Sequence, residues 1–139
     1  MKPSIERFNS GQVLPAQVPF PEGVRVGDML YLSGALGNVP GTLRLVEGGL
    51  RAEARQALEN VRTVLRGQGL DLQHLVRCTV MLADMADWPA FNEVYRDFFG
   101  ATPMPARSAL GCGGLALGAR VEIECTAAAL PDAGEGERS

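Results

Sequence analysis

The stretch Leu50-Arg51-Ala52-Glu53-Ala54-Arg55-Gln56-Ala57-Leu58-Glu59-Asn60-Val61-Arg62-Thr63-Val64-Leu65-Arg66 is followed, past Gly67 and Gly69, by Leu75-Val76-Arg77-Cys78-Thr79-Val80-Met81-Leu82-Ala83. The change of period between the two decides the fold. In the first, Leu50, Ala54, Ala57, Leu58, Val61, Val64 and Leu65 recur at spacings of three and four, while Arg51, Arg55, Glu59, Arg62 and Arg66 fall elsewhere, so the run predicts an α-helix with one apolar face. Gly67 and Gly69 supply its stop signal, and Arg66 in the last turn complements the macrodipole. The second run is apolar and β-branched, interrupted on one face by Arg77 and Thr79, and predicts a buried strand.

Toward the N-terminus, Gly23-Val24-Arg25-Val26 and Met29-Leu30-Tyr31-Leu32-Ser33 read as two antiparallel strands. Gly27-Asp28 between them suits a tight hairpin turn, although this order of the two residues is the less usual one. From Gly37 to Gly49, Gly, Pro and Asn punctuate a loop with at most one short strand, Leu43 to Val46. Toward the C-terminus, Asp87 reads as the N-cap of a second helix that begins Trp88-Pro89, turns Phe91, Tyr95 and Phe98 inward and closes at Gly100. Pro103 and Pro105 then lead into a strand, Arg107 to Gly111, starting at a sheet edge, and Arg120 to Ala127 alternates as the last strand.

This order of elements predicts a two-layer α+β domain spanning residues 1–130, with a mixed sheet and both helices on one face. Residues 131–139 lose their apolar content and are expected to form a disordered tail. Both faces of Met29 to Leu32 and of Leu75 to Leu82 carry apolar side chains, so the helix-free face needs a cover and a homo-oligomer is expected.

Composition narrows the function. With 139 residues, 46% of them apolar and 21% charged, the chain is globular and large enough for one core. No apolar run approaches the roughly 20 residues of a bilayer span, and Met1 to Gln12 lack the pattern of a secretory signal, so a cytoplasmic protein with no membrane partner is expected. A net charge of −3 and a pI of 5.1 argue against nucleic acid recognised by charge. Cys78, Cys112 and Cys125 suit reduced core thiols with nothing near in sequence to lower their pKa. His74 alone leaves a zinc site short of ligands and reads as a surface residue, and Lys2, the single lysine, removes Schiff-base chemistry; neither metal nor cofactor is expected. Gly111, Gly113 and Gly114 around Cys112 open no helix and suit a loop bending beside a cleft.

Two charged positions stand out. In the last strand Glu122, Glu124 and Thr126 share one face, opposite Val121, Ile123 and Cys125. On charge pattern alone, an interfacial ion pair with Arg77 or Arg120 is the favoured account of these glutamates over catalysis. Arg107 follows Pro105-Ala106, where a rigid approach aims a guanidinium fork suited to a substrate carboxylate; its bland alternative is again a salt bridge.

The segment Pro105-Ala106-Arg107-Ser108-Ala109 followed by Val121-Glu122-Ile123-Glu124 resembles the C-terminal signature of the Rid family, the reactive intermediate deaminases, also described as YjgF-like or L-PSP endoribonuclease-like proteins. Further matching stretches are Val26 to Gly34, Gln56 to Val61, Thr79 to Met85 and Phe91 to Phe99, in family order from about Val18 to Ala128. The resemblance implies a chorismate-mutase-like α+β fold, a homotrimer with clefts between subunits, and hydrolytic deamination of 2-imino and 2-aminoacrylate acids to 2-oxo acids and ammonia without a cofactor. By the same resemblance Arg107 holds the substrate carboxylate, Glu122 activates water, and Ser33, Gly34 and Asn92 line the cleft. Two further lining positions depart from the pattern: Phe20 stands where the family often has tyrosine, and Ala109 where it often has cysteine. Ala35 likewise replaces a frequent glutamine. Alternatives are a trimer that binds a small carboxylate without turnover and, less favoured, a ribonuclease.

Overall fold

The computed structural model describes residues 4–133. Six strands form one sheet: β1 (Ile5–Phe8), β2 (Gly23–Val26), β3 (Met29–Leu32), β4 (Leu75–Leu82), β5 (Ala106–Gly111) and β6 (Val121–Ala128), side by side in the order β1-β2-β3-β6-β4-β5. Of the neighbouring strands only β4 and β5 run parallel, and a parallel pair needs a crossover connection. That crossover is α2 (Trp88–Phe99), and α1 (Gly49–Gly67) connects β3 to β4.

The alternating burial of β6 places Val121, Ile123, Cys125 and Ala127 in the core, and the matching residues of β4 are Cys78, Val80 and Leu82. The buried positions of α1 include all seven of the predicted apolar stripe, plus Glu53 and Asn60. Both helices therefore cover one face. The expectation of a mixed sheet with two helices on one side is met.

Local chemistry explains the boundaries. At the end of α1, Leu70 N–H donates to Leu65 O at 3.0 Å and Gly69 N–H to Arg66 O at 3.1 Å, a Schellman arrangement with Gly69 left-handed at φ +76°. Gly27, at φ +60°, takes the first central position of the hairpin turn, the place where a type II′ turn uses glycine, which accounts for the Gly-Asp order.

Several expectations are corrected. β1 was absent from the sequence reading: its four residues are largely exposed, and only pairing with β2 makes them a strand. Phe99 rather than Phe98 completes the buried aromatic row of α2 with Phe91 and Tyr95; Phe98 is half-buried, with the Arg55 and Arg62 guanidinium groups over its ring. Asp87 stands at the N-cap position of α2 but its side chain caps nothing. Instead Asp84 accepts from Ala86 N–H at the preceding 3₁₀ turn. Leu43 to Val46 form no strand, only an isolated bridge of Leu45 to Asn38. His74 is half-buried, its Nδ1 accepting from Asp71 N–H at 3.0 Å in a reciprocal cap rather than lying free on the surface. The tail expected at 131–139 lies, beyond Ala133, outside the described residues.

Candidate active site

The predicted site residues fall into two groups. The first gathers where the edge strand β5 meets α2. Arg107 is the register partner of Cys78, whose side chain is buried under the helices, so the arginine projects to the helix side. There Arg107 Nη2 donates to Asn92 Oδ1 at 2.6 Å. The guanidinium also stacks over the rings of Tyr95 and Phe91, 4.7 and 5.5 Å from their centroids. Positions 91, 92 and 95 lie on adjoining faces of α2, so a single helix turn supplies both the acceptor and the platform. Arg107 has no acidic partner among the described residues, while its direction is held on three sides. Met104 and Pro105 complete the groove it lines with Asn92, Tyr95 and Arg96.

Beneath this clamp, Cys78 and Cys125 are register partners with sulfurs 3.0 Å apart, both buried. Contact with the Cys125 thiol, helped by Arg107, holds the Cys78 thiol below its ordinary value. The same contact, with burial, pushes Cys125 up. Neighbours that could lower a cysteine are thus present, brought by the fold rather than by sequence proximity. Burial pushes the Tyr95 phenol far up, so it stacks as a neutral ring.

The second group surrounds Glu122. Tyr31 pairs with Thr126 and Ala35 with Ile123, four steps along one strand against three along the other, so Ser33-Gly34 forms a bulge beside β6. The bulge turns Gly34 under the glutamate: a Cβ there would lie 2.1 Å from Glu122 Oε2. Glycine leaves the carboxylate its place. Ser33 Oγ donates to Pro21 O at 2.8 Å and Ser33 N–H to Glu22 O at 2.9 Å, which ties down the segment carrying the half-exposed Phe20 ring. The buried Glu22 carboxylate accepts from Ser10 and Leu14 N–H and folds the neighbouring loop.

Behind Glu122 lies a cavity of about 230 Å³, lined by Phe20, Ser33, Gly34 and Glu122 and by apolar side chains such as Leu36, Val61 and Leu117. Its walls are braced by a buried amide pair that the sequence reading missed. Asn60 Nδ2 donates to Leu36 O, Asn38 O and Asn38 Oδ1, and Asn38 Nδ2 donates to Val13 O and Thr42 O, each at 3.0 to 3.1 Å. The available signal was an asparagine at an inward position of an otherwise apolar helix face. Burial, and then the charge of Glu124, raise the pKa of Glu122 above the ordinary carboxylate range. A carboxylate so placed is a better proton acceptor than an exposed one. Arg77 Nη2 donates to Ser108 Oγ, and among the described residues neither Arg77 nor Arg120 forms an ion pair with Glu122 or Glu124 in the way the charge pattern suggested.

Within one chain the two groups do not meet. Arg107 lies two strands from Glu122 and level with Cys125, three residues along β6. At about 4.8 Å per strand and 3.3 Å per residue, the two Cα atoms are about 14 Å apart, with side chains on opposite faces. Phe20, Ser33 and Gly34 accompany Glu122, Asn92 accompanies Arg107, and Ala109 lines neither pocket, its half-buried side chain packing on the core. Among the described residues no group of three or more His, Cys, Asp or Glu side chains is placed to hold a metal ion. No helix among them is long and apolar enough to cross a membrane.

The family model described as Endoribonuclease L-PSP matches residues 11–129. A goat protein named 2-iminobutanoate/2-iminopropanoate deaminase is 39% identical over 94% of this chain and 96% of its own length. The chain belongs to the Rid family. A human protein of the same name is 38% identical over 91% of the chain and 93% of its own length. Among solved structures, a Rid-family protein from Yersinia pestis superposes with a TM-score of 0.85 at 30% identity, over 90% of this chain and 99% of that one. TdcF of E. coli, solved with bound serine, gives 0.82 at 29% identity over 88% and 98%.

Proposed function

We propose that this Rid protein is a hydrolytic deaminase of reactive 2-imino and 2-aminoacrylate acids, acting as a homotrimer in which Arg107 of one copy faces Glu122 of the next. The observation that carries the reading is Arg107 itself, aimed by Asn92 and two aromatic rings yet without a carboxylate partner among the described residues. Such a fork is preset for a ligand carboxylate. The names of the deaminase relatives supply the reaction, and the serine bound to TdcF is a carboxylate-bearing ligand. A small imino acid cannot bridge two side chains about 14 Å apart on opposite faces of one sheet, which supports a site shared between copies. The helix-free face carries exposed Tyr31 and Leu110 and half-buried Met81, apolar surface suited to a head-to-tail contact that closes as a ring.

In the shared site, Glu122 takes a proton from water as the water oxygen bonds to the imine carbon, giving a carbinolamine. It returns that proton to the nitrogen, then carries the hydroxyl proton to the same nitrogen as the C=O bond forms and the C–N bond breaks, and ammonia leaves the 2-oxo acid. Protonation at C3 brings an aminoacrylate to the imine beforehand. Arg107 binds the carboxylate throughout, Asn92 and Tyr95 position Arg107, and Ser33 and Gly34 position Phe20 and Glu122. Ala109 leaves the strand beside the clamp without a polar side chain.

The serine-bound neighbour also fits a second reading, a trimer that binds small carboxylates without turnover. RNA cleavage, suggested by the description of the family model, is less favoured: the arginines of α1 are engaged, Arg51 with Glu93, Arg55 with Asp97, and Arg62 and Arg66 with Asp71, and the net charge is −3. The deciding experiment supplies freshly generated imino acids and follows 2-oxo acid formation. Acceleration by the parent and a loss of about a thousandfold or more in Arg107→Ala are expected. Parent-like turnover by that variant removes the clamp assignment, and carboxylate binding without turnover by the parent establishes the second reading.

A further inference from the structure

We infer that the cavity behind Glu122 is the subsite for the substrate side chain, and that the preferred substrates are 2-imino acids with large apolar side chains, of the leucine, methionine or phenylalanine type. The inference rests on the deaminase reading and extends it to the substrate class.

The reacting carbon of a 2-imino acid bears three groups. The carboxylate goes to Arg107, and the imine nitrogen and incoming water must lie by Glu122. The third group has to leave that plane into whatever space adjoins Glu122 and Gly34. The space there is the 230 Å³ cavity, which continues from those two residues inward past Leu32 and Leu36 to Val61 and Val64 of α1. A methyl group, the side chain of the smallest imino acid, leaves nearly all of it unfilled and its apolar walls without contacts.

Apart from Glu122, the polar side chains at the cavity are already committed, so they do not solicit a polar side chain. Both Glu22 carboxylate oxygens accept backbone N–H groups, and the amides of Asn38 and Asn60 are bonded to backbone carbonyls and to each other. These bonds hold three separate segments, around Val13, Leu36 to Thr42 and Asn60, as fixed walls. The cavity is a braced space, not slack between loosely packed residues. An acidic or basic side chain entering it would meet apolar walls and be left without a partner.

Apolar burial of about 0.8 kcal/mol per methylene corresponds to about fourfold in binding for each added carbon. Because the side chain is held alike before and during reaction, the gain enters through KM. The test compares imines produced in situ by an amino-acid oxidase from alanine, leucine, phenylalanine and glutamate, at matched rates of imine supply. The leucine- and phenylalanine-derived imines are expected to show kcat/KM at least tenfold above the alanine-derived one, with the difference in KM, and the glutamate-derived imine to be the poorest. Leu43→Trp, which adds bulk to the cavity wall, is expected to cut the leucine-derived rate at least tenfold more than the alanine-derived rate. Equal or better use of the alanine- or glutamate-derived imine by the parent overturns the side-chain assignment while leaving the deaminase reading standing. Turnover of no imine at all removes both.

Discussion

The Arg107 and Glu122 halves of the candidate site are built in opposite ways. The arginine lies on a regular edge strand and is aimed by one turn of α2, so three neighbouring helix positions, Phe91, Asn92 and Tyr95, settle its geometry. The glutamate also lies on a regular strand, but everything that shapes its surroundings is irregular. A bulge at Ser33-Gly34, a tethered segment at Phe20 and an asparagine-braced set of loops form its cavity. The contrast teaches that a rigid, element-borne clamp can be paired with a loop-built chamber whose shape varies independently of it.

The largest expected effect breaks the two halves apart. Arg107→Ala and Glu122→Gln are each expected to be nearly inactive, yet co-expression at equal levels should restore about a quarter of parental activity, because a head-to-tail interface joining one intact arginine to one intact glutamate arises in about one of four random pairings. No recovery in assembled mixed oligomers would mean that the two residues do not serve one shared site. Next in size, Asn60→Ala strips the donors from Leu36 O and Asn38 O in a buried place, with an expected loss of about 2–3 kcal/mol in urea unfolding. A loss well under 1 kcal/mol would show that the amide pair does not hold the chamber walls.

On the other half, Tyr95→Leu removes a cation–π platform of about 1 kcal/mol and is expected to raise KM about fivefold with kcat kept, while Tyr95→Phe, which retains the ring, stays near the parent. Equal defects in both variants would assign the effect to the hydroxyl. The smallest change concerns protons. Activity requires ionised Glu122, and the Glu124 charge opposes that ionisation. Glu124→Gln therefore lowers the Glu122 pKa and should move the acid limb of the pH–rate profile to lower pH, and an upward movement would contradict the coupling.

Much of the fold was legible because its signals are local. The α1 stripe, the β4 run and the alternation of β6 each lie in one window, and the structure reproduces them within a residue or two. Features without a local signal were missed. Ile5–Phe8 has too little apolar content to announce a strand and depends on β2, with Phe8 packed over Gly23, where a Cβ would clash. Phe98 and Phe99 are adjacent, and a small rotation of the helix decides which faces inward. The resemblance supplied Arg107, Glu122, Ser33, Gly34 and Asn92 as site residues. Neither it nor the local pattern revealed that Tyr95 and Phe91, read as core aromatics, also carry the clamp.

By itself the sequence determined α1, the β2–β3 hairpin, β4 and β6, the faces they bury and the identity of the charged groups, because periodicity and turn chemistry act over a few residues. The tertiary structure alone decided which strands are neighbours beyond that hairpin. From that order follow the meeting of Cys78 with Cys125, the bulge that places Gly34 under Glu122, and the separation of Arg107 from Glu122 on opposite faces. Strand register joins residues tens of positions apart, and its energy comes from the packing of the whole sheet rather than from any segment read alone.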